Sequence, residues 1–332
     1  MINRQEKIKR ISQALEILKT HETHCQLCPR NCGVNRAQGE KGYCGESLVV
    51  RVGYIGPHFG EEPVISGIID YQQSKENKLA GGSGTIFFSG CNLKCVYCQN
   101  FQLSWSNQGE PLEESALAQR MIDLQDQGVL NINLVTASHF LIPVLRALRL
   151  AYQEGLNIPL VYNSGGYEKK EIIAVLDQIV DVYLPDLKYS NPSLSQKLSA
   201  APDYFQFASA ALLEMKKQQP ELLVDERNIA RKGLICRHLV LPGQVENSQK
   251  IISWTASHLG KSIGFSLMSQ YRPCFKAPST FNRSLSPEEY QQVLKWAKDI
   301  KWDILFIQPT AFSQDEHLIP DFNSPDPFGW QK

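Results

Sequence analysis

Gly90-Cys91-Asn92-Leu93-Lys94-Cys95-Val96-Tyr97-Cys98-Gln99-Asn100 places three cysteines within eight residues, spaced C-x3-C-x2-C. The apolar run Thr85-Ile86-Phe87-Phe88 precedes it, with Gly81, Gly82 and Gly84 on one side and Ser89-Gly90 on the other. A short β-branched and aromatic run between glycines reads as a buried strand. The cysteines then occupy the loop leaving that strand's C-terminal end, where α/β folds carry their chemistry. From here strand and helix patterns alternate, which predicts βα units around a parallel sheet.

Further strands are expected at 132–136, 159–163, 180–184, 234–241, 262–267 and 303–307, with helices over 112–127, 142–154, 193–218 and 246–258. A last helix opens on a capping box, Ser286 as cap, Pro287 at the first position and Glu289 three residues on. Six or seven such units fall short of the eight of a closed barrel. The expected fold is α/β: an incomplete (β/α)6-type TIM-like barrel over 84–310, open along one side, with a small N-terminal cysteine-rich metal lobe.

That lobe, within residues 1–50, begins with a helical stripe at Ile8, Ile11, Leu15 and Leu18. Cys25, Cys28 and Cys32 follow, closed by Cys44 after a segment turning at Gly33, Gly39 and Gly42. Four thiols over so short a stretch suffice for one tetrahedral metal or one cluster, and ligand type fits zinc or a second iron–sulfur cluster equally. The segment is too short and polar to build its own core, and a structural zinc contributes on the order of 10 kcal/mol, comparable to a whole domain's stability. Residues 51–83 read as a connector. Its stretch Gly53–Pro63 is rich in turn formers, which predicts irregular backbone and a surface loop for His58, Glu61 and Glu62. The tail, 311–332, is expected to run extended along the surface.

Lys+Arg and Asp+Glu both count 34, so the net charge is zero and the basic footprint of a nucleic-acid binder is missing. No apolar run approaches the ~18 residues that span a bilayer. Nine cysteines, most in two tight groups, fit metal ligation in a reducing compartment better than disulfides, so a cytoplasmic protein is expected.

Three thiolates fill three corners of a cubane iron–sulfur cluster and leave one iron for a small molecule. The spacing, with Tyr97 as the aromatic before the third cysteine, resembles the signature of the radical S-adenosylmethionine (SAM) enzymes. The order of strand-end motifs further resembles the activating enzymes of glycyl radical enzymes, the pyruvate formate-lyase activase type, over about residues 84–310. With the Cys25–Cys44 lobe and the segment His58–Pro63, it looks like an uncharacterised activase-related branch.

The resemblance implies a 4Fe–4S cluster on Cys91, Cys95 and Cys98 and SAM chelated at the unique iron. Reductive cleavage to a 5′-deoxyadenosyl radical, an electron donor such as flavodoxin or ferredoxin, and a glycyl radical enzyme or other protein as target follow from it. It carries Asp186-Leu187-Lys188 and the run from Arg237 to Gly243 into the SAM pocket, with Tyr97, Ser138 and Asn163 as further cofactor contacts. Lys188 and Arg237 suit a carboxylate, which arginine grips bidentately. Departures occur at Thr136-Ala137-Ser138-His139, at Asn163-Ser164-Gly165 where a carboxylate is lost, and at Tyr271 where a histidine is usual. They bear on the target more than on radical formation, and His139, Asn163 and Tyr271 are expected to face the substrate at the barrel mouth. Modification of another peptide or a metabolite, an iron–sulfur electron carrier and a zinc-dependent binding protein are the alternative functions.

Overall fold

In the computed structural model, which describes residues 3–67, 81–308 and 318–330, the run before the cysteine loop forms strand β2 (Ser83–Phe88), buried along its whole length. The other strands are β1 (Val50–His58), β3 (Glu110–Leu112), β4 (Ile132–Val135), β5 (Leu160–Ser164), β6 (Val182–Pro185), β7 (Leu223–Val224), β8 (Ala230–Leu239), β9 (Gly264–Met268) and β10 (Ile304–Ile307). The sheet order is β10-β9-β8-β6-β5-β4-β2-β1-β3, with β7 added to β8. From β2 to β10 the main-path neighbours are parallel, and β1 and β3 extend the other edge antiparallel. The sheet is open, with β10 and β3 as its edges, as expected of an incomplete barrel.

After β2 comes the short helix α3 (Phe101–Ser104), and crossover helices link the parallel strands: α4 (Glu114–Asp126), α5 (Leu141–Glu154), α6 (Lys170–Val175), α7 (Pro192–Ser199), α8 (Tyr204–Gln218), α9 (Val245–Leu259) and α10 (Pro287–Asp299). α10 carries the anticipated capping box between Ser286 and Glu289. The single helix expected over 193–218 is two. Ala200 takes a left-handed φ of 47°, and Pro202 disfavours helical backbone in the residue before it.

The N-terminal helix α1 (Arg4–Leu18) buries Ile11, Ala14 and Leu18 and packs on α5. Its Lys7 reaches Asp181 (2.5 Å), the Tyr152 hydroxyl (3.2 Å) and the carbonyl of Ile179 (3.1 Å), all buried. Asp181 also accepts from the Leu160 amide (2.8 Å), so α1 is fastened where β5 and β6 begin, the end of the barrel remote from the cysteine loop.

Gly53–Pro63 departs from its irregular expectation, because β1 runs through it and pairs with β2. Beyond β1 the short helix α2 (Pro63–Ser66) turns inward. Val64 and Ile65 pack against Val161, Val182, Leu184 and Ile235 of β5, β6 and β8. The tail also departs from a surface path. Phe328 is buried against Phe87 and Leu103 and makes ring contacts with Tyr54 and His58. The connector's residues 68–80 and the tail's 309–317 and 331–332 lie outside the described residues. Among the described residues, no helix is long and apolar enough to cross a membrane.

Candidate active site

The loop after β2 leaves the sheet through Gly90, whose φ is 77°. A Cβ there would stand 2.8 Å from the Cys44 carbonyl and 2.7 Å from Glu46 Cγ, so the N-terminal lobe packs onto the start of the cysteine loop. Lys94 also takes a left-handed φ, 53°. That turn aims the amides of Leu93 (3.3 Å) and Lys94 (3.5 Å) at Cys91 Sγ. Cys95 Sγ accepts from the Ser199 hydroxyl at 3.1 Å and from Tyr189 at 3.8 Å. Tyr97 turns its hydroxyl onto Tyr189 (2.7 Å), so the signature aromatic backs the second cysteine from below.

Burial pushes the Cys91 thiol up to about 11 and the Cys98 thiol to about 12, the neighbouring Cys95 adding to both. Such thiols do not become thiolates without positive charge among them. Donors already directed at sulfur, three cysteines on one loop and the Lys188 cation near them fit an iron–sulfur group. They are spread along the loop: among the described residues no set of His, Cys, Asp or Glu converges as ligands of a single ion, here or in the lobe.

Lys188 lies opposite the sulfurs. Burial would lower its affinity for a proton, but Asp186, then Cys95, outweighs burial and holds it charged. Lys188 and Asp186 form an ion pair, and Asn247 fixes the local backbone by donating to the Lys188 carbonyl (3.0 Å). Asn163 at the end of β5 and Ser138 after β4 are both buried, at 8% and 1% exposed. The Ser138 hydroxyl donates to Glu168 and accepts from Tyr162 (3.2 Å).

Arg237 stands otherwise than expected. Its guanidinium is already held bidentately by Glu62 (2.8 and 2.5 Å), bonds Glu61, and reaches Asn163 Oδ1 at 3.4 Å. Burial alone would weaken its charge, and Glu62 and Glu61 more than offset that. The carboxylate that Arg237 grips is therefore the protein's own. Glu61 and Glu62, expected on a surface loop, are the buried counterions, with His58 close to Glu61 (3.5 Å). The reason is α2, whose apolar pair draws the preceding carboxylates inside.

His139 and Tyr271, expected to meet substrate, are both buried. His139 Nε2 lies 2.6 Å from the Ser89 carbonyl, and burial, then the nearby Arg36, pushes its pKa down to about 3. Tyr271 donates to the Phe281 carbonyl at 2.8 Å. Each is committed to packing.

Glu168 escaped sequence reasoning. It is 1% exposed, and burial raises its pKa to about 7 against the opposing hydrogen bonds of Ser138 and Ser164. Its signal was a carboxylate two residues beyond Gly165-Gly166 at a strand end, beside the strand that lost one.

In the lobe, Cys28 and Cys44 are buried, Cys25 is half-buried and Cys32 is exposed. The Tyr43 amide donates to Cys32 Sγ (3.2 Å). Burial raises the pKa of Cys28 and of Cys44, and the lobe's other thiols add to each rise. Arg30 fastens the lobe to the site, donating to the carbonyls of Asn92 (2.9 Å), Leu93 (3.3 Å), Ser199 (2.9 Å) and Ala200 (2.6 Å). Arg36, also buried, donates to the carbonyls of His139 and Ser47.

Residues 85–224 match the family described as the Radical SAM superfamily. The uncharacterized protein MJ0674 of Methanocaldococcus jannaschii is 30% identical over 307 residues, spanning 88% of this chain and 79% of that one. Among solved structures, methylornithine synthase (PylB) superposes with a TM-score of 0.43 at 14% identity, covering 68% of this chain and 70% of its own. The catalytic domain of a hyperthermophilic chitinase from Pyrococcus furiosus gives 0.36 at 14% identity, over 70% and 79%.

Proposed function

Because residues 85–224 form a radical SAM superfamily domain, and the chain belongs to one family with the MJ0674 protein, we propose that it holds a 4Fe–4S cluster on Cys91, Cys95 and Cys98. SAM binds beside it at the barrel mouth. When bound, the cluster supplies the electron that splits a carbon–sulfur bond of SAM, giving methionine and a 5′-deoxyadenosyl radical. The observation that carries this reading is three cysteines on one strand-end loop, with backbone amides and hydroxyls aimed at their sulfurs and Lys188 facing them.

The chain's own residues bind and orient. Lys188, paired to Asp186, offers a cation to a carboxylate at the mouth and Asn163 a neutral polar contact, while Ser138, held between Glu168 and Tyr162, backs the site from within. Arg237, neutralised by Glu61 and Glu62, acts through Asn163 as a positioning residue. Tyr97, Tyr189 and Ser199 hold Cys95 in place. Val64, Ile65 and Phe328 fill the space beneath the mouth with apolar side chains and exclude water. The electron comes from a carrier such as flavodoxin or ferredoxin. The four lobe thiols are the ligand set for a second metal, zinc or iron–sulfur, and would have to draw together from their present positions to hold it and stabilise the lobe.

For the target, the motifs at Asp186–Lys188 and Arg237–Gly243 favour activase-like hydrogen abstraction from a glycine of a partner protein. The apolar filling by α2 and the tail favours a second reading, a metabolite or short peptide entering at the mouth. Electron paramagnetic resonance on the anaerobically reconstituted, reduced protein with SAM and lysate of its source decides. A persistent glycyl doublet on a second polypeptide supports the first. Steady 5′-deoxyadenosine tracking a small molecule on fractionation supports the second. Absence of 5′-deoxyadenosine with an intact cluster contradicts both.

A further inference from the structure

We propose that the outer face formed by Lys94, Trp105, Phe275 and Lys276 is the docking surface for an acidic one-electron carrier protein. The inference rests on the radical SAM reading above and names the partner of that same site.

The face lies directly on the cysteine loop. Cys274 Sγ donates to the carbonyls of Tyr97 (3.3 Å) and Cys98 (3.5 Å), and the Lys276 amide donates to the Val96 carbonyl (3.0 Å). Trp105 Nε1 donates to the carbonyl of Cys95 itself (3.0 Å). Four consecutive carbonyls, from the second cysteine to the third, are thus covered by these residues.

Its charge is unbalanced. Lys276 Nζ stands over the rings of Trp105 (4.9 Å) and Phe275 (5.1 Å), and Lys94 Nζ over Tyr43 (5.6 Å) and Trp105 (5.7 Å). Arg30 stacks on Tyr43 at 3.8 Å, its hydrogen bonds going to carbonyls. Among the described residues none of these three cations has a carboxylate within ion-pair distance, whereas Lys188 and Arg237 on the inner side each have a carboxylate partner. The whole chain is neutral, so this patch is a local surplus.

Its centre is apolar and held outward. Phe275 is 38% exposed and has a φ of 54°, a left-handed conformation that a bulky residue rarely adopts. Stacking on Phe101, with centroids 5.0 Å apart and rings 9° from parallel, and contact with Trp105 at 5.4 Å keep it there. An aromatic centre with a cationic rim is complementary to a protein whose redox group is ringed by carboxylates. Small, electrostatically steered contacts are how transient redox partners meet.

The step moves one electron and nothing else. The reduced flavodoxin or ferredoxin loses one electron, and the iron–sulfur group held by Cys91, Cys95 and Cys98 gains it, with no bond made and no proton transferred.

The test uses the reconstituted holoenzyme and its Lys276→Glu and Phe275→Ala variants, with Lys295→Glu on the exposed side of α10 as a control of equal charge change. Binding of flavodoxin and of ferredoxin is measured by calorimetry at low and high salt, and 5′-deoxyadenosine is followed with reduced carrier and, separately, with dithionite. The expected result is about tenfold weaker binding for Lys276→Glu at low salt, shrinking at high salt. Carrier-driven turnover should fall in parallel while dithionite-driven turnover and the control stay at wild type. Unchanged binding of both carriers, or an equal loss of dithionite-driven turnover, overturns the assignment. If the wild type cleaves no SAM even with dithionite, the reading of the site fails, and the binding measurement still decides the surface.

Discussion

Cys91, Cys95 and Cys98 leave a fully buried strand and face the Lys188 cation, whereas Cys25, Cys28, Cys32 and Cys44 lie among turns and 3-10 segments, with the buried Glu168 carboxyl acting on Cys28. The barrel's own core therefore positions the first group, since β2 is fixed by β1 and β4 on either side. The second group has no such scaffold and is held by Arg30 and Arg36 reaching across to barrel carbonyls. Sulfur chemistry is alike in the two. What differs is whether the fold or the ligation supplies the geometry, and on the present account only the first group takes part in SAM cleavage.

Glu168, a barrel carboxyl just after β5 that also acts on the lobe's Cys28, gives the largest expected effect. Its folded pKa, about 7, lies above the ordinary 4.5. Below the unfolded value both states hold the proton and its contribution to stability is fully present. Between the two values the folded state keeps a proton the unfolded state releases, so stability falls as pH rises and the loss is complete above the folded pKa. Glu168→Gln should thus be more stable than the parent by about 3 kcal/mol above about pH 8 and equal to it in acid. Denaturant melts across that range check this, and a pH-independent difference would show that Glu168 is not held protonated.

On the barrel side, Lys188→Met should weaken SAM binding by about one to two decades, the value of a lost charge-assisted contact of about 1.5–3 kcal/mol. Iron content should be retained. Calorimetry under argon measures it, and an unchanged dissociation constant would confine Lys188 to its pair with Asp186.

Arg30→Ala cuts the link between the two groups. Loss of its contacts to loop carbonyls, discounted because the side chain is partly exposed, should cost about 1–2 kcal/mol. It should also speed proteolysis within residues 20–48 ahead of the barrel. Uniform loss of protection over the whole chain would mean that lobe and barrel unfold as one unit.

Smallest of all is the effect expected on SAM cleavage from Cys28→Ser. The lobe should lose metal or stability while 5′-deoxyadenosine still forms. Loss of cleavage in a folded variant with its barrel cluster intact would make the lobe an electron relay and erase the contrast.

Much of this was legible in the sequence where local pattern and global fold agree. β2, β4, β5 and the later parallel strands are short apolar runs between turn formers, and their ends carry Cys91, Asp186 and Lys188 as anticipated. The misreadings share a cause. β1 was hidden because Gly53, Gly56 and Pro57 are poor strand formers, and pairing with β2 overrides that preference. Glu61 and Glu62 looked like loop carboxylates because nothing local reveals that Val64 and Ile65 plug the barrel or that Arg237, far along the chain, waits inside. Glu168 required knowing that the loop after β5 folds onto the end of β4. Such long-range pairings of charge are set by topology, which residue spacing alone does not encode.

The central claim is that Cys91, Cys95 and Cys98 together hold the group that cleaves SAM, and Cys95→Ser tests it most directly. The variant and the parent are reconstituted with iron and sulfide without oxygen, reduced with dithionite and supplied with SAM, and iron per chain and 5′-deoxyadenosine are measured side by side. The account predicts loss of the barrel cluster and of 5′-deoxyadenosine while the lobe's metal is unchanged. Undiminished 5′-deoxyadenosine from the Cys95→Ser protein would contradict it.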